Sequence, residues 1–397
     1  MLKYFRKCPR GSFNNCGIAF SAITEKIMKK KFVLPVLLLI AICLFAGCAP
    51  VSNYASSERL SVLSEKYRVL KTAGNFNNEI GLPLTIFRLS EEDEVAVLEM
   101  GISDFNEMHR LGAIARPDIC VITNIGLCHL ENLGSRDGIL KAKTEIFEHL
   151  NGTGTVILNG EDDRLSTVEN VNGKVPVFYG KSEKNQCGKE NCIYATEIRN
   201  LGLDGMKAVF HFPECTKEVE IPIPGEHNVL NALAGACVGM ELGLDVEQIC
   251  AGIKKAQTIG GRTNLIHAND MLIIDDCYNA NPISMKASID VLNMAIGRKV
   301  AVLGNMGELG DTAEALHAEV GTYAAEQNVD LVCGIGDLTR SLVEEASKGA
   351  NTEALWFADN ESFIQAIPDI IKDGDNVLVK ASHGMNFPQI VHALEEL

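Results

Sequence analysis

Polar side chains follow three apolar runs of this 397-residue chain, at points where a parallel sheet would place a ligand. The residues are Glu99 after the first run, Thr123, Asn124 and His129 after the second, and Asp275 and Asp276 after the third. In open α/β sheets, ligands bind at the carboxyl ends of the strands. A carboxylate and a histidine on neighbouring strand ends could together hold Mg²⁺ and a phosphate. The alternative for each residue taken singly is an ordinary polar loop.

A helix predicted from Ser135 to Leu150 places a lysine on its apolar side. At about 100° per residue, Lys143 lies on the same stripe as Ile139 and Ile146. A buried ammonium is costly and must find a partner, lose its charge or be chemically modified. The alternative is a lysine whose aliphatic stem covers apolar surface while its ammonium reaches solvent.

The sequence contains no phosphate-binding loop of the G-x-x-x-x-G-K-[ST] type, whose amides and lysine would hold the phosphates of ATP. The nearest match, residues 180–182, has Val175 in place of the first glycine and no predicted helix behind it. Cys187 and Cys192 form a single C-x₄-C pair, which without a second pair does not indicate a zinc site. Most other cysteines lie in apolar stretches, as expected of reduced thiols.

After residue 57, short apolar runs alternate with amphipathic stretches along the sequence. This pattern is typical of parallel sheets covered by helices, and these strands and helices must position the residues named above. The first set comprises strands at 67–70, 95–98, 119–123 and 155–158, a β-rich insert at 193–223, and helices at 228–242 and 246–255. The second set comprises strands at 272–274, 300–303, 331–333, 355–357 and 377–379. We predict an α/β fold, with a parallel sheet and a small β-rich insert at 57–259 and a five-stranded, doubly wound, Rossmann-like domain at 260–397.

The N-terminal segment differs in composition from the rest. The chain has a net charge of -16, which argues against nucleic-acid binding, yet its residues up to Lys31 include eight basic side chains and one acidic one. No charged residue occurs between Phe32 and Ser57, and L-F-A-G-C at 44–48 resembles a bacterial lipobox with Cys48 as the lipidated residue. We predict a signal-like leader at 1–56. The alternatives are a membrane anchor and a misjoined reading frame.

Eight motifs, in order along the chain, resemble those of the Mur ligases, and the resemblance covers about residues 58–397. They are G-N-F-N-N-E-I-G-L-P at 74–83, E-M-G at 99–101, T-N-I-G at 123–126, H-L-E at 129–131, K-A-K-T-E at 141–145, G-E-H-N-V-L-N-A at 225–232, D-D-C-Y-N-A-N-P at 275–282 and G-N-M-G-E-L-G at 304–310. The resemblance implies a cytoplasmic, monomeric enzyme of peptidoglycan precursor synthesis. Its implied reaction is the ligation of D-alanyl-D-alanine to UDP-N-acetylmuramoyl-tripeptide with ATP and Mg²⁺, through an acyl phosphate.

The resemblance also implies roles for individual residues. Those of the phosphate-transfer centre are Glu99 and His129 as Mg²⁺ ligands, Lys143 as a carbamylated lysine, and Asn77 and Asn78 near the reacting carboxylate. Those of the nucleotide site are Asn228 or Asn231 at adenine, Asp276 at the ribose, Arg262 at the phosphates, and Tyr278 and Asn281 on the far side of the nucleotide. Those of the substrate site are Asn305, Glu308, Lys380, Ser382 and His383.

Two departures from the family pattern bear on activity. The family has an N-terminal domain for the UDP-sugar and then a phosphate loop, where this chain has its signal-like segment. Residues 380–385, K-A-S-H-G-M, replace the family pattern K-G-S-R-x-M, and His383 is a weaker anion ligand than an arginine fork. Because loss of one oxyanion-type donor costs on the order of 10²- to 10³-fold in rate, we expect little or no ligase activity. The alternatives are a catalytically inactive, membrane-tethered binding protein and a misjoined gene fragment.

Overall fold

The computed structural model describes residues 38–43, 61–126, 130–152, 154–181, 192–258 and 261–397. Within these ranges the chain forms two α/β units, each built on one sheet with an apolar cluster on either face. The predicted fold class is confirmed. No helix in the described ranges is long and apolar enough to cross a bilayer.

The sheet of the first unit has nine strands within the described residues. They are β1 (Leu38–Cys43), β2 (Val69–Lys71), β3 (Val95–Glu99), β4 (Ile119–Ile122), β5 (Thr155–Asn159), β6 (Val177–Gly180), β7 (Ile193–Asn200), β8 (Met206–His211) and β9 (Thr216–Ile221). Their order is β2-β3-β1-β4-β5-β6-β7-β8-β9, parallel as far as β7 and antiparallel from β7 to β9. Strands β3 and β4 are buried throughout, as expected of strands covered by helices on both faces. The antiparallel part is the predicted β-rich insert.

Strand β1 lies within the segment that the sequence analysis sets apart as a leader. It pairs in parallel with β3 on one side and with β4 on the other. An uncharged apolar stretch suits a central strand as well as a signal, because such a strand is buried on both faces. The expectation of a separate leader over 1–56 is therefore corrected for Leu38–Cys43, which belong to the sheet. Cys48 lies outside the described residues, and its lipidation stays a prediction.

The helices of the first unit cover this sheet. They are α1 (Gly81–Ile86), α2 (Glu107–Ala115), α3 (Leu130–Leu133), α4 (Arg136–Thr144), α5 (His227–Glu241) and α6 (Val246–Lys254). Ser135 caps α4, since its Oγ accepts a 3.1 Å hydrogen bond from the Gly138 N–H. A 3₁₀ helix at Glu145–His149 continues α4, so the helix predicted from Ser135 to Leu150 is present with a tighter final turn.

The second unit has a six-stranded sheet. Its strands are β10 (Asn264–Ala268), β11 (Met271–Asp275), β12 (Lys299–Gly304), β13 (Leu331–Ile335), β14 (Glu353–Phe357) and β15 (Asn376–Lys380), in the order β10-β11-β15-β12-β13-β14. The five predicted strands are parallel, whereas β10 pairs antiparallel with β11 at the edge. The sequence analysis missed β10 because this edge strand is only partly buried and has no continuous apolar run.

Five helices flank the second sheet. They are α7 (Pro282–Asn293), α8 (Ala313–Glu326), α9 (Arg340–Ala346), α10 (Asn360–Ile370) and α11 (Pro388–Glu395). Short 3₁₀ helices in the two units lie at Leu165–Thr167, Gly202–Asp204, Gly310–Thr312, Asp337–Thr339 and His383–Met385. The alternation of parallel strands and helices is the predicted doubly wound arrangement.

Candidate functional site

Asn77 and Glu99 form a buried pair at the carboxyl end of β3. Glu99 is the last residue of this strand, and its Oε1 accepts a 3.0 Å hydrogen bond from Asn77 Nδ2. The Glu99 N–H donates to Thr72 Oγ1 at 2.9 Å, which ties the strand end to the loop after β2. Asn77 and Glu99 are each only 5% exposed. A carboxylate offers about four lone-pair directions, so the Asn77 contact alone does not saturate Glu99.

Asn78 has a different environment from its neighbour Asn77. Its side chain is exposed, and Oδ1 accepts hydrogen bonds from the backbone N–H groups of Ile80 at 3.1 Å and Gly81 at 2.9 Å. Asn78 therefore orders the start of α1. Both asparagines border one cavity of about 330 Å³, whose other lining residues are Glu79, Gly101, Ile102, Ser103 and Glu107.

Lys143 is fully buried in α4, as its position on the apolar stripe predicts. Its Nζ donates a 2.5 Å hydrogen bond to the Asn124 carbonyl in the loop after β4. Asn159, at the end of β5, holds the same loop by donating to the Thr123 carbonyl at 3.0 Å. The alternative of an ammonium that reaches solvent is wrong. His129, the other residue predicted to bind Mg²⁺ here, lies outside the described residues.

Asn228 and Asn231 lie one turn apart in the buried first half of α5. Asn228 Nδ2 donates to the Pro224 carbonyl at 2.8 Å, and Asn228 Oδ1 accepts from Asn231 Nδ2 at 2.9 Å. Asn231 Oδ1 is buried and accepts no hydrogen bond within the described residues. Because an unsatisfied buried acceptor is costly, this atom suits a ligand that carries an amino group.

Asp276 is enclosed by donors of its own domain. Its Oδ2 accepts hydrogen bonds from Lys380 Nζ at 2.7 Å and from the Ser288 hydroxyl, and its Oδ1 accepts from the Thr263 N–H at 3.2 Å. Burial lowers the pKa of Lys380, and the neighbouring Asp276 carboxylate opposes this shift. Asp276 and Lys380 thus form a buried ion pair. The ribose contact expected of Asp276 and the substrate contact expected of Lys380 stay predictions.

Arg262, Tyr278 and His383 lie together in the second unit, with Arg262 stacked on the Tyr278 ring and His383 tilted against it. The Arg262 guanidinium carbon lies 3.6 Å from the centroid of the Tyr278 ring, and the His383 ring centroid lies 5.6 Å from that of Tyr278. A guanidinium commonly stacks on an aromatic face in this way. Burial raises the pKa of Tyr278; Arg262 opposes the shift, and the Glu99 charge adds to it.

The remaining predicted residues of the second unit order its loops. Asn281 Oδ1 accepts a 2.8 Å hydrogen bond from the third N–H of α7 and so caps that helix. Ser382 Oγ accepts from the Gly307 N–H at 2.8 Å, and its own N–H donates to the Asn305 carbonyl at 3.1 Å. Asn305 Oδ1 is buried without a hydrogen bond in the described part of the chain. Glu308 has a left-handed backbone, with φ at 61°.

His227 lies where the two units meet. It is the first residue of α5, and the charges of Asp276 and Lys380 in the second unit act on its imidazole. Burial lowers the pKa of His227 to about 4. A Cβ at Gly225 would lie 2.6 Å from His227 Cε1, so only glycine permits this approach.

Two family models match the chain: the Mur ligase middle domain at residues 60–239 and the Mur ligase, glutamate ligase domain at residues 261–383. The UDP-N-acetylmuramoyl-tripeptide–D-alanyl-D-alanine ligase of Bacillus subtilis is 37% identical over 340 residues, which cover 85% of this chain and 72% of that relative. The chain belongs to the Mur ligase family. Mur ligases are ATP-dependent ligases, so this Mur ligase is an enzyme of that class.

Further relatives agree with this assignment. The Escherichia coli ligase of the same name is 33% identical over 339 residues, covering 85% of this chain and 73% of the relative. MurF from Acinetobacter baumannii matches with a TM-score of 0.84 and 30% identity, covering 96% of this chain and 81% of that one. MurF from Thermotoga maritima, solved with ADP, matches with a TM-score of 0.81 and 25% identity, covering 98% and 87% of the two chains.

The residues of this Mur ligase suit the two groups that the family uses. Mg²⁺ prefers hard oxygen ligands, and the Glu99 carboxylate supplies them at a buried strand end. For ATP, Asn231 Oδ1 is a buried acceptor for an amino group. Arg262 adds a guanidinium, which binds phosphate oxygens through paired N–H groups.

The sequence analysis did not predict three residues that support the Mur ligase site. Thr72 fixes the Glu99 backbone, Asn159 fixes the loop that accepts from Lys143, and Ser288 donates to Asp276. Asn159 had a signal, because it directly follows a predicted strand. Thr72 and Ser288 had none, since their partners are distant in sequence and no local pattern marks them. His227 lay inside a recognised motif without being assigned a role.

Proposed function

We propose that this Mur ligase joins D-alanyl-D-alanine to UDP-N-acetylmuramoyl-tripeptide, with ATP as the energy source. The names of the Bacillus subtilis and Escherichia coli relatives support this substrate pair. The observation that carries the proposal is the position of the Asn77–Glu99 pair and of the loop that accepts from Lys143 at the carboxyl ends of β3 and β4, the two strands that flank β1. We place the domain boundary at residue 260 and add β1 to the first domain. The enzyme would act as a cytoplasmic monomer, where ATP and nucleotide-linked precursors are available.

The chemistry requires two bond exchanges. An oxygen of the tripeptide carboxylate attacks the γ-phosphorus of ATP, which forms the acyl phosphate and releases ADP. The amine of D-alanyl-D-alanine then attacks the acyl carbon, phosphate leaves, and the amine loses a proton. Both steps depend on alignment of the reactants and on compensation of phosphate charge.

Each residue has a defined part in this proposal. Mg²⁺, when bound, supplies positive charge to the phosphate oxygens. Glu99 would hold the ion, and the hydrogen bond from Asn77 fixes the position of its carboxylate. The Lys143 amine reacts with CO₂, forming an N–C bond and releasing a proton, so that a buried cation becomes a carboxylate-like group. Asn231 binds the adenine amino group, and Arg262 binds phosphate oxygens.

We further propose that ligation by this chain is slow. Residues 44–60 follow β1, where a nucleotide-binding sheet carries its phosphate loop, and they contain no lysine and no G-K-[ST] sequence. The donors that such a loop offers to the β- and γ-phosphates are then missing. The alternative of a binding protein on a separate tether loses support, because Leu38–Cys43 form a strand of the sheet.

Phosphate release in the presence of both peptide substrates tests these proposals, with the Bacillus subtilis relative assayed in parallel. We expect a kcat at least about 100-fold below that of the relative, and no release when either substrate is omitted. A rate similar to that of the relative would overturn the proposal of slow ligation. Failure of ATP and of both peptides to bind in calorimetry would instead overturn the substrate assignment.

Glu99→Gln provides a test of the site itself. The variant keeps the size of the side chain but removes its charge, so Mg²⁺-dependent ATP binding should weaken by at least about tenfold. Glu91→Gln removes an exposed carboxylate from the loop before β3 and is the matched control. Equal ATP affinities in the two variants would remove Glu99 from the proposed site.

A further inference from the structure

Two histidines and a glutamate converge on the surface of the first domain, outside the proposed ligation site. His109 lies in α2, and Glu148 and His149 lie in the 3₁₀ helix after α4. His109 Nδ1 is 3.2 Å from Glu148 Oε2 and 3.0 Å from His149 Nε2, and the three atoms all lie within 4.8 Å of one another. None of these side chains has a part in the ligation chemistry proposed above.

Hydrogen bonds alone satisfy this arrangement poorly. A single hydrogen on His109 Nδ1 can point at the Glu148 oxygen or at the His149 nitrogen, so it cannot be well directed at both. The imidazole rings meet edge to face, with centroids 4.4 Å apart and an interplanar angle of 70°. A cation between the three atoms would satisfy all of them.

We propose that His109, Glu148 and His149 bind a divalent transition-metal ion of the Zn²⁺ class, with water as a fourth ligand. Two imidazoles and one carboxylate are an established donor set for Zn²⁺, at bond lengths of about 2.0–2.2 Å. Tetrahedral angles at these lengths separate the ligand atoms by about 3.3–3.6 Å. The observed separations of 3.0 and 3.2 Å need to widen by only a few tenths of an ångström. Mg²⁺, which prefers oxygen ligands, fits this site poorly.

The protein holds these ligands in place without the ion. Glu145 accepts hydrogen bonds from the backbone N–H groups of Asn106 at 3.0 Å and His109 at 3.2 Å, which docks the start of α2 onto the 3₁₀ helix. A Cβ at Gly112 would lie 2.9 Å from His149 Cδ2, so the missing side chain lets the His149 ring lie directly on α2. Ligands that are already oriented lose less freedom on binding an ion.

The ion would join two elements that border the proposed ligation site. Helix α2 begins at Glu107, which lines the cavity beside Asn77 and Asn78. Its carboxylate accepts hydrogen bonds from the N–H groups of Ser103 at 2.5 Å and Asp104 at 3.1 Å. Helix α4 carries Lys143 and continues into the 3₁₀ helix with Glu148 and His149. Metal binding is therefore expected to stabilise the packing of α2 against α4.

Co²⁺ titration of the full chain tests this proposal. The protein carries no affinity tag, is stripped of metal with a chelator, and is titrated in excess Mg²⁺, while the visible absorption of tetrahedral Co²⁺ is recorded. We expect one such Co²⁺ per chain, which Zn²⁺ displaces. His109→Ala should weaken this binding by at least about tenfold, whereas His267→Ala, at an exposed histidine of β10, should not change it.

A second variant and a second measurement keep the test independent of folding defects. Glu148→Gln alters a side chain that is 68% exposed and should weaken Co²⁺ binding as His109→Ala does. Urea unfolding in chelator shows that each variant folds, and added Zn²⁺ should raise the unfolding midpoint of the wild type but not of His109→Ala. A wild type without tetrahedral Co²⁺ absorption would overturn the proposal. So would equal Co²⁺ affinities of the wild type and both variants.

Discussion

Each domain of this Mur ligase buries one lysine completely among its described residues, and the two lysines have different hydrogen-bond acceptors. Lys380 Nζ lies 2.7 Å from an Asp276 carboxylate oxygen and 3.0 Å from the Asn279 carbonyl. Lys143 Nζ lies 2.5 Å from the Asn124 carbonyl. A carboxylate neutralises an ammonium, whereas a carbonyl only solvates it. Burial alone therefore does not assign a role to either lysine, because two equally buried ammonium groups make different hydrogen bonds.

The largest effect is expected for Lys380→Met. The substitution keeps the side-chain length but leaves the Asp276 carboxylate buried without its cation, which costs about 3–5 kcal/mol in the free energy of unfolding. Urea denaturation measures the loss, with Lys372→Met at an exposed position as the control. A loss no greater than that of the control would show that the ion pair does not stabilise the C-terminal domain.

A pH effect is expected from His227, which faces the same ion pair. Burial lowers its pKa to about 4, so the folded protein keeps a neutral imidazole while the unfolded chain takes up a proton near pH 6.5. Stability is therefore fully present above about pH 6.5 and falls as the pH decreases towards 4, by as much as about 3 kcal/mol. Urea midpoints measured across this range should show the fall, and His227→Gln should reduce it. An unchanged pH dependence in that variant would assign the effect to other groups.

A smaller loss of stability is expected for Lys143→Met. The variant removes the donor to the Asn124 carbonyl, and an unsatisfied buried acceptor costs about 1–3 kcal/mol. Lys141→Met, on the exposed side of α4, is the matched control for urea denaturation. If Lys143→Met and Lys380→Met destabilised the protein equally, the contrast between the two lysines would fail.

The smallest effect is expected for Asn281→Ala. Its side chain caps α7 close to the Asp276–Lys380 pair, and loss of such a cap costs about 1 kcal/mol. Asn281→Ser should recover most of this loss, because a serine hydroxyl also accepts from the helix N–H groups. Loss of nucleotide affinity without loss of stability in Asn281→Ala would instead favour the ligand contact implied by the family resemblance.

Local patterns in the sequence predicted the parts of the fold that depend on near neighbours. The apolar runs at β3, β4 and β11 were correctly predicted as strands, because burial on both faces requires continuous apolar sequence. The inward position of Lys143 followed from helical periodicity alone. Edge strand β10 lacked such a run and was missed. The prediction of a signal-like leader at 1–56 did not anticipate β1, because an apolar segment has the same composition in a signal and in a central strand.

Residue types and spacing in this sequence determined the fold class, the Mur ligase motifs and the burial of Lys143. Only the tertiary structure decided that Asp276 meets Lys380, because these residues lie 104 positions apart and come together through the pairing of β11 with β15. The tertiary structure likewise decided that β1 lies between β3 and β4, and that His109 lies beside Glu148 and His149. Sequence patterns report which faces must be buried, whereas the partner of a buried charge depends on strand order, which local periodicity does not encode.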